Sequence, residues 1–173
     1  RNWIGGEIGL QISESGMIFG DYNQGRVFKI ENSQMHKEAG SRVRSVEFIL
    51  LKGKNGLWFI EAKSSSPKSE TSWDRYQEFI GEITEKFIHS FNMLCAWYLG
   101  RLSDYDEIGT DIKAITGKMA DFVFVLVIRG HKMEWLLPLQ EELRQKLKYH
   151  NSIWNSKIIV MNDEIAREYH LII

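Results

Sequence analysis

Glu47, Glu61 and Lys63 are the residues whose types and spacing could support hydrolytic chemistry. Glu61 and Lys63 flank Ala62 at the end of an apolar, β-rich run. Side chains two positions apart on a strand share a face, so an anion and a cation stand together there. Glu47 lies in the preceding β-rich run. Two carboxylates converging on one face supply the hard oxygen ligands that Mg²⁺ or Mn²⁺ takes, and they leave coordination positions for water and a phosphate oxygen. A cation held that way activates the water and stabilises the charge that develops on attack.

The elements that must position this trio begin with a hairpin. Ser45–Lys52 and Leu57–Lys63 are β-rich, and Gly53-Lys54-Asn55-Gly56 between them contains the Asn-Gly pair that marks tight hairpin turns. Register decides which face Glu47 uses. A two-residue Asn55-Gly56 turn pairs Lys54 with Leu57 and Leu50 with Glu61, and it sends Glu47 to the opposite face. A three-residue loop of Lys54, Asn55 and Gly56, with Gly56 left-handed, pairs residue 49 with 61 and 47 with 63 and gathers the trio. Both parities of both strands carry large apolar residues, so the sheet is expected to be covered on both faces.

Ahead of the hairpin, Ile8–Ile12, Met17–Phe19 and Val27–Ile30 read as short strands. Ser33 can cap a helix over Gln34–Ala39 that stops at Gly40. After it, apolar residues from Trp73 to Tyr98 step by three and four, which predicts a long helix ending at Gly100. Arg101–Met119 reads as a polar loop, and Asp121–Arg129 as a buried central strand. Pro138 suits the first turn of a helix with Leu139, Leu143 and Leu147 on one face. Lys157–Met161 reads as a strand, and Asn162 or Asp163 can cap a last helix over Glu164–Tyr169.

An acid on the first hairpin strand, Glu61-Ala62-Lys63 ending the second, and a long helix after it resemble the PD-(D/E)xK nuclease superfamily. The resemblance covers roughly residues 33–161. It implies an α/β, restriction-endonuclease-like three-layer sandwich with a central mixed β-sheet flanked by helices. Residues 1–173 would form one domain, with N-terminal strands in 1–32 and the core in 33–161. It also implies a metal-dependent nuclease that cleaves phosphodiester bonds, on DNA in the first place. Glu47 and Glu61 would hold Mg²⁺ or Mn²⁺, and Lys63 would orient the water or neutralise the phosphate. Glu38 and Gln77 are the available accessory residues on flanking helices. Val46-Glu47 departs from the usual Pro-Asp pair, and the longer glutamate can shift or weaken the metal.

Composition sets limits on this reading. The chain has 173 residues, 43% apolar and 26% charged, ordinary values for a globular domain. A net charge of -1 argues against coating nucleic acid by bulk electrostatics, which leaves a local patch of Arg42, Arg44, Lys52, Lys54, Lys63 and Lys68. The longest apolar run, Phe122–Ile128, is far too short to span a membrane. One cysteine, Cys95, in a helical apolar pattern has no partner for a disulfide and reads as core, which favours a cytoplasmic compartment. The five histidines lack zinc-ligand spacing, and Trp58 and Trp73 read first as core and second as base-stacking surfaces. Ser64, Ser65 and Ser66 read as a polar loop that could also donate to a phosphate. Two rivals stand beside the enzyme. One is a catalytically inactive nuclease-fold module that binds nucleic acid or a protein; the other is an interaction protein whose long helix forms a homodimer.

Overall fold

The computed structural model describes residues 9–115 and 119–173. Two N-terminal strands, β1 (Leu10–Glu14) and β2 (Met17–Tyr22), pair antiparallel in a sheet of their own. The expected strand start at Ile8 falls outside the described residues. A single 3-10 turn, Gln24–Arg26, leads to β3 (Val27–Phe28). Then come α1 (Gln34–Ala39), β4 (Phe48–Lys52), β5 (Gly56–Lys63) and α2 (Trp73–Tyr98). The expected loop at 101–119 contains a short helix, α3 (Thr110–Ala114). The chain continues through β6 (Asp121–Ile128), α4 (Met133–Lys146), α5 (Lys148–Trp154), β7 (Lys157–Asn162) and α6 (Asp163–Glu168).

The second sheet has the order β3-β4-β5-β6-β7. Its first three strands run antiparallel, whereas β5, β6 and β7 are parallel. Period-two patterning divides the apolar residues between the two faces. Leu57, Phe59, Phe124 and Leu126 pack with Ile80, Ile83, Phe87 and Phe91 of α2 and with Leu139 and Leu143 of α4. Ile60, Ala62, Val123, Val125 and Val127 pack with Ile12, Met17 and Phe19 of the hairpin and with Ala166 near the C-terminus. Each such side chain withdrawn from water contributes about 1.5–3 kcal/mol, so both coverings hold the sheet firmly. The result is a mixed α/β fold, a five-stranded sheet between helices on one side and a small hairpin and helix on the other, compatible with the three-layer sandwich expected.

Local signals explain most element ends. The Ser33 hydroxyl accepts from the His36 N–H at the start of α1, and the Asn162 side chain accepts from Ile165 at the start of α6. Two expectations need correction. Pro138 lies inside α4 and not in its first turn. Lys132 precedes the helix without a capping side chain, so only Glu134 in the first turn marked the start, and Pro138 projects from the exposed side, where its missing N–H costs the bond to the carbonyl of exposed Glu134. The hairpin loop is Gly53-Lys54-Asn55, with Lys52 opposite Gly56. Gly53 supplies the left-handed residue at φ 66°, and Gly56 lies in β5, where a side chain would meet the Lys52 carbonyl at 2.7 Å. Neither expected register therefore forms.

Candidate active site

The observed register differs from the expected three-residue loop by two positions, which preserves parity. Phe48 pairs with Ile60, and Glu47, one residue before β4, comes beside Glu61 where residue 63 was expected. The Glu47 N–H donates to the Ile60 carbonyl at 3.1 Å. Glu61 and Lys63 extend from β5 on the α2 side of the sheet, the parity of Leu57 and Phe59. They stand at the carboxyl end of a parallel strand, the place where open α/β sheets bind ligands.

Helix α2 completes this corner with two residues one turn apart. Lys86 Nζ donates to Glu61 Oε1 at 2.7 Å, while Lys63 Nζ lies 3.3 Å from the same oxygen and 3.0 Å from Glu82 Oε1. Arg44 continues the network to Glu82 and Glu85 at 3.8 and 3.1 Å. The side chain of Glu61 is 0% exposed, that of Lys86 12% and that of Lys63 25%, so the network grades from the interior to the lip. Burial pushes the Glu61 carboxyl up, and the two lysines bring it back only part of the way. Burial works against the Lys63 ammonium, but Glu82 and Glu61 outweigh it and raise its pKa.

A second group of carboxylates meets Glu47. Glu14 ends β1, Glu31 lies between β3 and α1, and each offers an oxygen within 4.8 Å of one on Glu47 and of one another. Backbone ties fix the arrangement. The Glu31 N–H donates to the Glu47 carbonyl at 3.4 Å, and the Ser15 hydroxyl donates to the Ala62 carbonyl at 3.0 Å, between Glu61 and Lys63. The turn at Gly16 packs against the Arg129 guanidinium, and its φ of 76° favours glycine there. Crowding raises the Glu47 carboxyl to about 9: burial contributes most, followed by its hydrogen bond with Glu31 and by repulsion from Glu61, Glu31 and Glu14. Burial and Glu31 also raise Glu14.

Two oxygens in this region, Glu47 Oε2 and Glu61 Oε2, are buried without a hydrogen-bond partner. Orphaned buried acceptors call for an explanation, and Glu47, the owner of one of them, belongs to the three-carboxylate group that could hold a cation. The donors are all carboxylate oxygens, with no histidine or cysteine in the cluster, a set that suits a hard divalent ion and not zinc. The residues present thus fit Mg²⁺ or Mn²⁺.

Of the residues that the sequence singles out, Glu61 and Lys63 stand 3.3 Å apart and the backbone of Glu47 comes beside Glu61, but the carboxylate of Glu47 groups with Glu14 and Glu31 and not with Glu61; Glu14, Glu31, Glu82 and Lys86 were not anticipated. For Glu82 and Lys86 a signal existed, charged residues four apart flanking the buried stripe of Ile83 and Phe87. For Glu14 and Glu31 none existed, because only the topology places them here. Of the accessory candidates, Glu38 accepts hydrogen bonds from Tyr105 and Gln34, which lower its pKa, and Gln77 has no hydrogen bond to the cluster. The expected basic patch is dispersed: Arg44 pairs with acids of α2, Lys52 donates to the Tyr169 carbonyl, and Lys68 stands 4.3 Å over the Trp135 ring. Trp73, expected as core, is 56% exposed and rests on Tyr76, while Trp58 and Cys95 are half-buried. A cleft of about 1080 Å³ lined by Tyr22, Asn23 and Glu107 contains none of the site carboxylates.

No family model, curated protein or solved structure matches this chain. No helix is long and apolar enough to cross a membrane among the described residues.

Proposed function

We propose that this chain is a divalent-metal-dependent nuclease that hydrolyses phosphodiester bonds in DNA, in a cytoplasmic setting. One observation carries the reading: Glu47 Oε2 and Glu61 Oε2, both buried and unpartnered, stand where acidic side chains converge and lysines border the lip. Glu14, Glu31 and Glu47 would hold Mg²⁺ or Mn²⁺, with Glu61 Oε2 beside them. When bound, the ion supplies an activated water and stabilises charge on the phosphate. Glu47 releases the proton that crowding imposes on it as the site is loaded. Lys63, the more exposed lysine, can turn from Glu82 to a phosphate oxygen and place it for in-line attack. Farther along the same strand ends, Lys68 and Lys132 lie 4.3 and 4.9 Å over the Trp135 ring, a cationic and aromatic surface suited to a nucleic-acid strand.

The test is cleavage of plasmid and single-stranded DNA with Mg²⁺ or Mn²⁺, beside folded Glu61→Ala and Lys63→Ala variants. Cleavage that either substitution lowers by at least about a hundredfold supports the reading, since removing one charge-stabilising group costs about that much. One observation favours a second reading, a nuclease-fold module that binds without turnover: both lysines nearest Glu61 are already paired with carboxylates. DNA binding without cleavage of any substrate would select it.

A further inference from the structure

Resting on the metal site just proposed, we infer that Lys86 is its positioning residue: it fixes Glu61 through Oε1 so that Oε2 is presented to the cation, and it leaves Lys63 free for the substrate. Two lysines share one carboxylate oxygen, and the geometry ranks them. Lys86 makes the shorter contact, 2.7 against 3.3 Å, and is the more buried, at 12% against 25% exposure. Lys63 also has a second anchor, Glu82, at 3.0 Å. Lys63 can therefore leave Glu61 without stranding a buried charge, because Lys86 remains; Lys86 is the nearer and deeper of the two partners. Helix α2 is well placed to provide it, since Ile83 and Phe87 on either side of Lys86 are fully buried against the sheet. Groups that orient a metal ligand from behind typically control affinity by 10–100-fold.

Electrostatics alone makes the opposite prediction, which renders the inference testable without turnover. Removing a cation beside a cation site should tighten metal binding if Lys86 contributes only charge. If it positions Glu61, binding should weaken. The experiment is Mn²⁺ titration by calorimetry on the full chain and on Lys86→Met, Lys86→Arg, Glu61→Gln and the double variant Glu61→Gln/Lys86→Met. The double variant removes both members of the buried pair and guards against misfolding from an uncompensated charge. The expected result is Mn²⁺ affinity at least about tenfold weaker in Lys86→Met and largely restored in Lys86→Arg. The double variant should bind like Glu61→Gln alone, because Lys86 acts through Glu61. Equal or tighter binding by Lys86→Met, or a further loss in the double variant, would overturn the inference, as would a parent chain that binds no Mn²⁺. A parent that binds Mn²⁺ but cleaves no DNA would sink the nuclease reading and leave the role of Lys86 standing.

Discussion

The Glu47 carboxyl, raised to about 9, makes a local conflict measurable. An unfolded chain releases this proton near pH 4.3, whereas the folded, metal-free chain keeps it until about pH 9. Between those values the folded state binds more protons than the unfolded one, so stability must fall as pH rises. The contribution is fully present below the ordinary carboxyl range and is gone above about pH 9. Glu14 shifts in the same direction. Glu47→Gln should therefore flatten the pH dependence of Tm in EDTA and melt above the parent at pH 8. The same variant should lose Mn²⁺ affinity, since an amide is a weaker ligand than a carboxylate. Thermal melts from pH 5 to 9 check the first effect; a variant as pH-sensitive as its parent would remove Glu47 as the source. Lys63→Met belongs to the same scale: Mn²⁺ affinity should change less than in Lys86→Met, while cleavage falls, because the exposed lysine serves the substrate.

Helix α4 shows what a single residue costs an element. Pro138 in its interior forgoes the hydrogen bond to Glu134. Proline inside a helix costs about 3 kcal/mol relative to alanine, and the order it imposes on the unfolded chain returns at most about 1 kcal/mol. Pro138→Ala is expected to stabilise the chain by roughly 2 kcal/mol, read as an increase in the denaturant midpoint with unchanged slope. A loss of stability would mean that the ring packs productively where it is. That element was also the hardest to read. Strong periodicity made α2 and β6 legible, but a helix opening on Lys132 without a cap, followed by a proline, misleads sequence reasoning about its start. The hairpin failed in a subtler way. Asn55-Gly56 signalled a tight turn correctly, yet three glycine and asparagine residues offered competing left-handed positions, and Gly53 took that role. Because the error was two residues, the shared face of Glu47 and Glu61 survived it.

On the scale of the whole molecule, the site is a product of topology. β5 alone delivers Glu61 and Lys63, which is why their spacing could be read directly; Glu14, Glu31 and Glu47 come from three segments that only the folded chain brings together. Glu14 comes from the N-terminal hairpin, a sheet separate from the core. That hairpin is joined to the core by the Phe19 and Phe48 rings 5.3 Å apart and by the Ser15 bond to Ala62. A cation bound by these carboxylates would add a further link between hairpin and core and would do so most strongly where protons no longer compete for Glu47. At a hundred times its Kd it should stabilise the fold by about 2.7 kcal/mol, a Tm increase of roughly 5 to 11 °C for a chain of this size. The increase should be larger at pH 8 than at pH 6, with EDTA reversing it. Hydrogen exchange locates the effect. Mn²⁺ should slow exchange in β1 and β2 as well as in β4 and β5, and Glu14→Gln should abolish the added protection in the hairpin while leaving part of it in the core. Protection confined to β4 and β5 in the parent chain would mean that Glu14 does not take part, and the cation would then belong to Glu31, Glu47 and Glu61 alone.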